Sequence, residues 1–211
     1  MTFSSSERSA LAQTLLDKGP DAPTLCGDWT TRDLAVHLWI RENKSLAQLK
    51  SMLPGDGDAV GAETEKALER PYEEIVRKWA EGPRGLSPWK ILDPVANGVE
   101  HFVHHEDVVR GHLEPGDPVD ERELAPEHRQ YLYRAIKLTA GRAIKSDRPV
   151  IIDPDGFSRL VVNDKPGVSP DGEAVVRISG GVGEILMWIF GRDVVNLDIS
   201  GDDSSVERLN L

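Results

Sequence analysis

Asp93-Pro94-Val95-Ala96-Asn97-Gly98-Val99-Glu100-His101-Phe102-Val103-His104-His105-Glu106-Asp107-Val108-Val109-Arg110-Gly111 is the stretch on which the fold turns. Asp93 supplies an N-cap, Pro94 occupies the first helical turn where its missing N–H costs nothing, and Gly111 stands where a helix ends. Between them Val95, Val99, Phe102, Val103 and Val109 recur at helical spacing and make one broad apolar face. A helix with such a face must bury it against other helices.

The preceding residues supply them. Ser4 or Ser5 caps a helix carrying Leu11, Leu15 and Leu16 that stops at Gly19. After the loop Pro20 to Asp28, Thr30-Thr31-Arg32-Asp33 reads as an acidic variant of the capping box and opens a second helix that runs toward Met52 with Leu34, Leu38, Leu46 and Leu49. A Gly, Asp and Pro loop (54–61) and an acidic segment lead to a shorter helix opened by Pro71 and closed by Gly82. Downstream, Pro126 to Lys145 predicts another helix, with Leu132, Ile136 and Leu138. The expectation is a mainly α chain built on an up-and-down helical bundle.

From Arg148 the spacing changes. Val150-Ile151-Ile152, Leu160-Val161-Val162, Ala174 to Ile178 and Val194 to Ile199 are β-branched runs bounded by Asp, Pro and Gly, interrupted by a helix from Glu184 to Phe190. This predicts two domains, a helical bundle over 1–146 and a small α+β C-terminal domain over 147–211.

Composition removes several functions. The 211 residues carry 25 Lys plus Arg against 36 Asp plus Glu, a formal charge of −11, with no basic cluster, which argues against nucleic acid or an anionic membrane as partner. A single Cys cannot form an internal disulfide. No apolar run reaches the roughly 18 residues of a membrane span and no leader is evident, so the expected location is the cytoplasm.

Four of the six His fall between His101 and His112. Two pairs in the helix have the i, i+4 spacing that places side chains on one face, Glu100 with His104 and His101 with His105. Either could hold a divalent cation, and the helical wheel does not choose, since the pairs flank the apolar stripe on opposite sides. Asp107 returns to nearly the direction of Glu100 and could accept a hydrogen bond from the second nitrogen of a ligating His. His37, alone among the N-terminal helices and set between Leu34, Val36 and Leu38, is the candidate for a further ligand. A His in such a setting is more often a satisfied core residue.

Trp29 to Leu38 together with Glu100 to Asp107 resembles the two signature segments of the DinB-like superfamily, in the branch containing mycothiol-dependent maleylpyruvate isomerase. The likeness spans residues 5–145, and Gly183 to Arg192 is similar to the small C-terminal domain of that branch. It implies a DinB-like bundle and a metal site of His37, Glu100 and His104. Two imidazoles and a carboxylate leave an open coordination position, as in catalytic zinc, although nickel or iron would accept the same donors. The resemblance further implies a low-molecular-weight thiol such as mycothiol as co-substrate and a small electrophilic substrate, isomerised or joined to the thiol. Arg192 could then bind a substrate carboxylate, or simply complement its helix dipole.

Two other readings of the triad are possible: a non-catalytic metal-binding or small-ligand-binding module, and metal-assisted hydrolysis with Asp107 or Glu106 as general base. Cys26 reads as a small buried residue, the five Trp as packing residues, and Gly180-Gly181-Val182-Gly183 as a tight turn that at most offers helix amides to an anion.

Overall fold

The structure is a computed structural model that describes residues 2–43, 59–82, 94–164 and 175–209. Leu46, Leu49 and Met52, the cap at Asp93 and the start of the third β run at Ala174 lie outside the described residues. Among the described residues, seven helices and a four-stranded sheet make the fold mainly α, as expected. The chain packs as two compact units, Met1–His112 and Leu113–Leu211.

The first unit contains α1 (Phe3–Lys18), α2 (Thr31–Asn43), α3 (Ala59–Leu68), α4 (Tyr72–Ala80) and α5 (Pro94–Val109). The cap of α1 is Thr2 rather than Ser4 or Ser5; its hydroxyl accepts from the backbone N–H of Ser5 at 3.2 Å. The helix stops at Gly19, whose φ of +77° suits a residue without a side chain. The capping box of α2 forms reciprocally: Thr30 N donates to Asp33 Oδ2 at 2.9 Å, and Asp33 N donates to Thr30 Oγ1 at 3.4 Å. The acidic segment before Pro71 is itself helical, as α3, and contributes the buried Ala67. Pro71 and Gly82 bracket α4 as the sequence indicates.

These helices share a core in which Leu11 and Leu15 of α1, Leu34 and Leu38 of α2, Ile75 and Val76 of α4 and Val108 of α5 are closed to solvent. Each such side chain contributes about 1.5–3 kcal/mol by leaving water. Helix α5 packs chiefly against α1, with Phe102 and Val103 inward, while Val109 lies outside the buried face at 39% exposure. Val108 fills that place instead.

A buried polar network also joins four of the helices. Arg8 donates from Nη1 and Nη2 to the two oxygens of Glu42 at 2.8 and 2.7 Å, Trp79 Nε1 donates to Glu42 Oε1 at 3.1 Å, and His101 Nε2 lies 3.4 Å from the same oxygen. Burial alone would raise the Glu42 carboxyl, but hydrogen bonds from His101 and Arg8 outweigh it and hold the group below its ordinary value.

The second unit holds α6 (Pro126–Ala143), β1 (Val150–Pro154), β2 (Leu160–Val162), β3 (Val176–Gly180), α7 (Val182–Ile189) and β4 (Leu197–Ser200). The sheet order is β2-β1-β3-β4, with β1 parallel to β3 and both outer pairs antiparallel. Helix α6, grouped with the bundle by its sequence, packs on α7 and β2, with Leu132 and Ile136 inward and Leu138 62% exposed. Every residue of α7 is buried. At its N-terminal turn the Glu121 carboxylate lies so close to Gly181 that an added Cβ would stand 2.8 Å from its Oε2, so a side chain of the chain itself occupies the Gly-rich turn.

Candidate metal centre

Helices α2 and α5 bring three of the expected residues together. The donor atoms of His37, Glu100 and His104 all lie within 4.8 Å of one another, with Glu100 Oε1 3.9 Å from His37 Nε2 and 4.0 Å from His104 Nε2. Glu100 and His104 are buried, whereas the His37 side chain keeps 37% of its exposure, so the group is accessible on that side. The capping box places His37 at the margin of the α2 face that buries Leu34 and Leu38, close enough to α5 to meet Glu100. The rings of His37 and His104 meet edge to face, centroids 5.7 Å apart.

The pairing of α5 with its neighbours settles which i, i+4 pair faces which helix. His101 and His105 turn toward α1: His101 Nδ1 lies 3.0 Å from Ser4 O, His105 Nδ1 lies 3.4 Å from Glu7 Oε2, and His105 Nε2 lies 2.9 Å from Thr14 Oγ1. Their nitrogens are taken up by protein partners. Glu100 and His104 face His37.

Asp107 completes the arrangement. It is closed to solvent and its Oδ2 lies 2.9 Å from His104 Nδ1; an ionised carboxylate only accepts, so the hydrogen is on Nδ1 and the lone pair on Nε2, the atom facing Glu100. Cys26 Sγ donates to the same Oδ2 at 3.1 Å, and Leu25 N donates to the Asp107 carbonyl at 3.1 Å. The loop that carries Cys26 can approach α5 because position 111 is glycine: a Cβ there would stand 2.1 Å from Pro23 O. Gly111 is therefore set by close backbone approach, and its φ is not in the left-handed region expected of a helix-ending glycine.

Cys26, His104 and Asp107 form a second set of donors near enough to share an ion. Their separations of 2.9 and 3.1 Å about Asp107 Oδ2 are hydrogen-bond distances. In the His37 set the separations of 3.9 and 4.0 Å are too long for hydrogen bonds and leave an ion-sized gap. Ligands held tetrahedrally at about 2.1 Å from one zinc stand about 3.4 Å apart, so the donors need close by only about half an ångström across the two measured separations. The residues fit a divalent cation.

The electrostatics agree. Burial, then the neighbouring His104 and Arg41, lowers the pKa of His37 from 6.5 to about 4, so its imidazole is neutral at pH 7 and its lone pair is available. Burial raises the Glu100 carboxyl, a shift that Arg41, His104 and His101 oppose but do not cancel.

Three neighbours escaped the sequence reading. Arg41 ion-pairs with Glu100 Oε2, and its position one turn after His37 was the available signal. Cys26 is half-buried and bonded to Asp107 rather than a plain core residue. Trp29, expected to pack inside, is 40% exposed with its ring 5.2 Å from that of His37. Arg192 lies in the second unit, buried, with Nη1 donating to Phe190 O at 2.6 Å.

Fold and site together define a helical protein whose paired helices present a two-histidine, one-carboxylate donor set. Residues 4–105 match the family described as the mycothiol maleylpyruvate isomerase N-terminal domain, a DinB-like family. No curated protein and no solved structure matches the chain. No helix among the described residues is long and apolar enough to cross a membrane.

Proposed function

We propose that the protein is a metal-dependent enzyme that uses a low-molecular-weight thiol, of the mycothiol type named by its family, to isomerise or S-conjugate a small electrophilic substrate. The observation that carries this reading is the gap between His37 Nε2, His104 Nε2 and Glu100 Oε1, with two protein nitrogens and one oxygen as donors. Zinc suits these donors and a thiol equally; nickel and iron are compatible. Three protein ligands leave room for an exogenous one, and a bound divalent cation supplies the Lewis acidity that lowers the pKa of a thiol placed there.

The chain's own residues do the rest. Asp107 holds the Nδ1 hydrogen of His104, and Cys26 and Leu25 hold Asp107. Trp29 stands beside the accessible ligand His37. The one Cys is engaged with Asp107, which favours a thiol brought from outside as the nucleophile.

The test is metal analysis of the purified wild type and of His104→Ala, followed by a mycothiol titration of the metal-loaded protein. One divalent ion per chain in the wild type, its loss in the variant, and saturable thiol binding only with metal present are expected. Wild-type protein that takes up no stoichiometric metal, or a His104→Ala variant that retains both metal and thiol binding, would overturn the reading.

A further inference from the structure

Arg41 has no part in the donor set, yet it touches the residue at its centre. Its guanidinium ion-pairs with Glu100 Oε2, while Oε1 is the oxygen that stands 3.9 and 4.0 Å from His37 and His104. Both side chains are largely withdrawn from water, at 16% and 9% exposure. Little water is at hand to screen the two charges. His37 and Arg41 lie one turn apart on α2, so the helix that supplies a ligand also supplies the group that holds the opposite ligand.

Resting on the metal reading above, we propose that Arg41 is a positioning residue that restricts Glu100 to a single oxygen toward the cation. A carboxylate with both oxygens free can grip a cation with two. With Oε2 held by Arg41, Glu100 fills one position, and the position a second oxygen would take stays open to a donor from solution. The guanidinium also offsets the carboxylate's charge, which weakens the grip on the cation while favouring an anionic donor. Arg41 thus trades metal affinity for access, the opposite of what a purely structural salt bridge would do.

Azide added to the Co²⁺-loaded protein tests this, because azide reports an open position through its charge-transfer absorption and Co²⁺ binding is read separately from its visible bands. In Arg41→Met, Co²⁺ should bind at least as tightly as in the wild type, while azide affinity falls about tenfold, the lower end of the effect of groups just outside a metal's ligands. Arg41→Lys keeps one donor and the charge and should restore most of the azide affinity. Unchanged azide affinity in Arg41→Met overturns the proposal and leaves the metal reading intact. So does parallel loss of Co²⁺ and azide binding in that variant, which marks a merely structural ion pair. Wild-type protein that binds no Co²⁺ overturns both.

Discussion

Asp107 Oδ2 stands 2.9 Å from His104 Nδ1 and 3.1 Å from Cys26 Sγ, so one buried oxygen links the loop before α2 to a histidine at the candidate centre. Asp107→Asn can present an amide N–H where the acceptor stood and so loses control of which ring nitrogen carries the hydrogen. Zinc affinity measured by competition with a chromophoric chelator should fall about 10–100-fold, and less in Cys26→Ala, which removes only one donor to Asp107. Equal affinity in wild type and Asp107→Asn would show that the carboxylate does not orient the ring.

Gly111→Ala tests the approach of the loop to α5. The new Cβ would be placed 2.1 Å from Pro23 O, a distance that backbone must relieve by moving. We expect a loss of about 1–3 kcal/mol in denaturant unfolding, together with weaker zinc binding because Cys26 and Leu25 leave Asp107. A variant as stable as the wild type would mean the loop yields without cost.

Glu42→Ala should be more damaging than its distance from the ligands suggests. It leaves the mostly buried Arg8 guanidinium without its carboxylate, only the Trp79 carbonyl still accepting from Nη1, and the Trp79 indole N–H without Glu42 as acceptor; removing one partner of a buried pair costs about 3–5 kcal/mol. Leu11→Ala, a deletion in the same core without loss of charge, is expected at about 2–5 kcal/mol. Chemical denaturation of both variants measures these costs.

The pH dependence of the metal-free protein follows from His37. Its pKa is about 4 folded against 6.5 unfolded, so the unfolded chain binds the extra proton first as pH falls. The contribution is fully present above pH 6.5 and is lost between there and about 4, with stability rising with pH across that window. Glu100 is shifted upward and acts in the opposite sense as pH rises above its ordinary value. The comparison that isolates His37 is therefore the variant: in His37→Asn, the loss of Tm on going from pH 6.5 to 4.5 should be smaller than in the wild type. An identical loss would mean that His37 does not titrate differently on folding.

Local signals in the sequence carry far here because caps and periodicity are local physics. The Thr30–Asp33 box, Gly19, Pro71 and Pro126 mark helix ends that the structure bears out, and the β-branched runs after Arg148 form the sheet. The exceptions are also local: Thr2 caps α1 in place of Ser4 or Ser5, and α3 arises from a segment read only as acidic. Val109 and Leu138 fit helical spacing yet are exposed, because periodicity names a face without saying how far a neighbouring helix covers it.

Glu100 and His104, like His101 and His105, share a helical face by virtue of the α-helical repeat, and that much the sequence determines by itself. It does not determine which pair meets His37, since the wheel is symmetric about the apolar stripe and the answer depends on whether α1 or α2 packs on a given side. Only the tertiary structure turns His101 and His105 onto α1, sets Glu100 and His104 against His37, and brings Arg41 and Cys26 to them across long stretches of chain. Helical spacing is fixed by bonds between near neighbours; the choice of partner is fixed by burial of a core drawn from the whole unit.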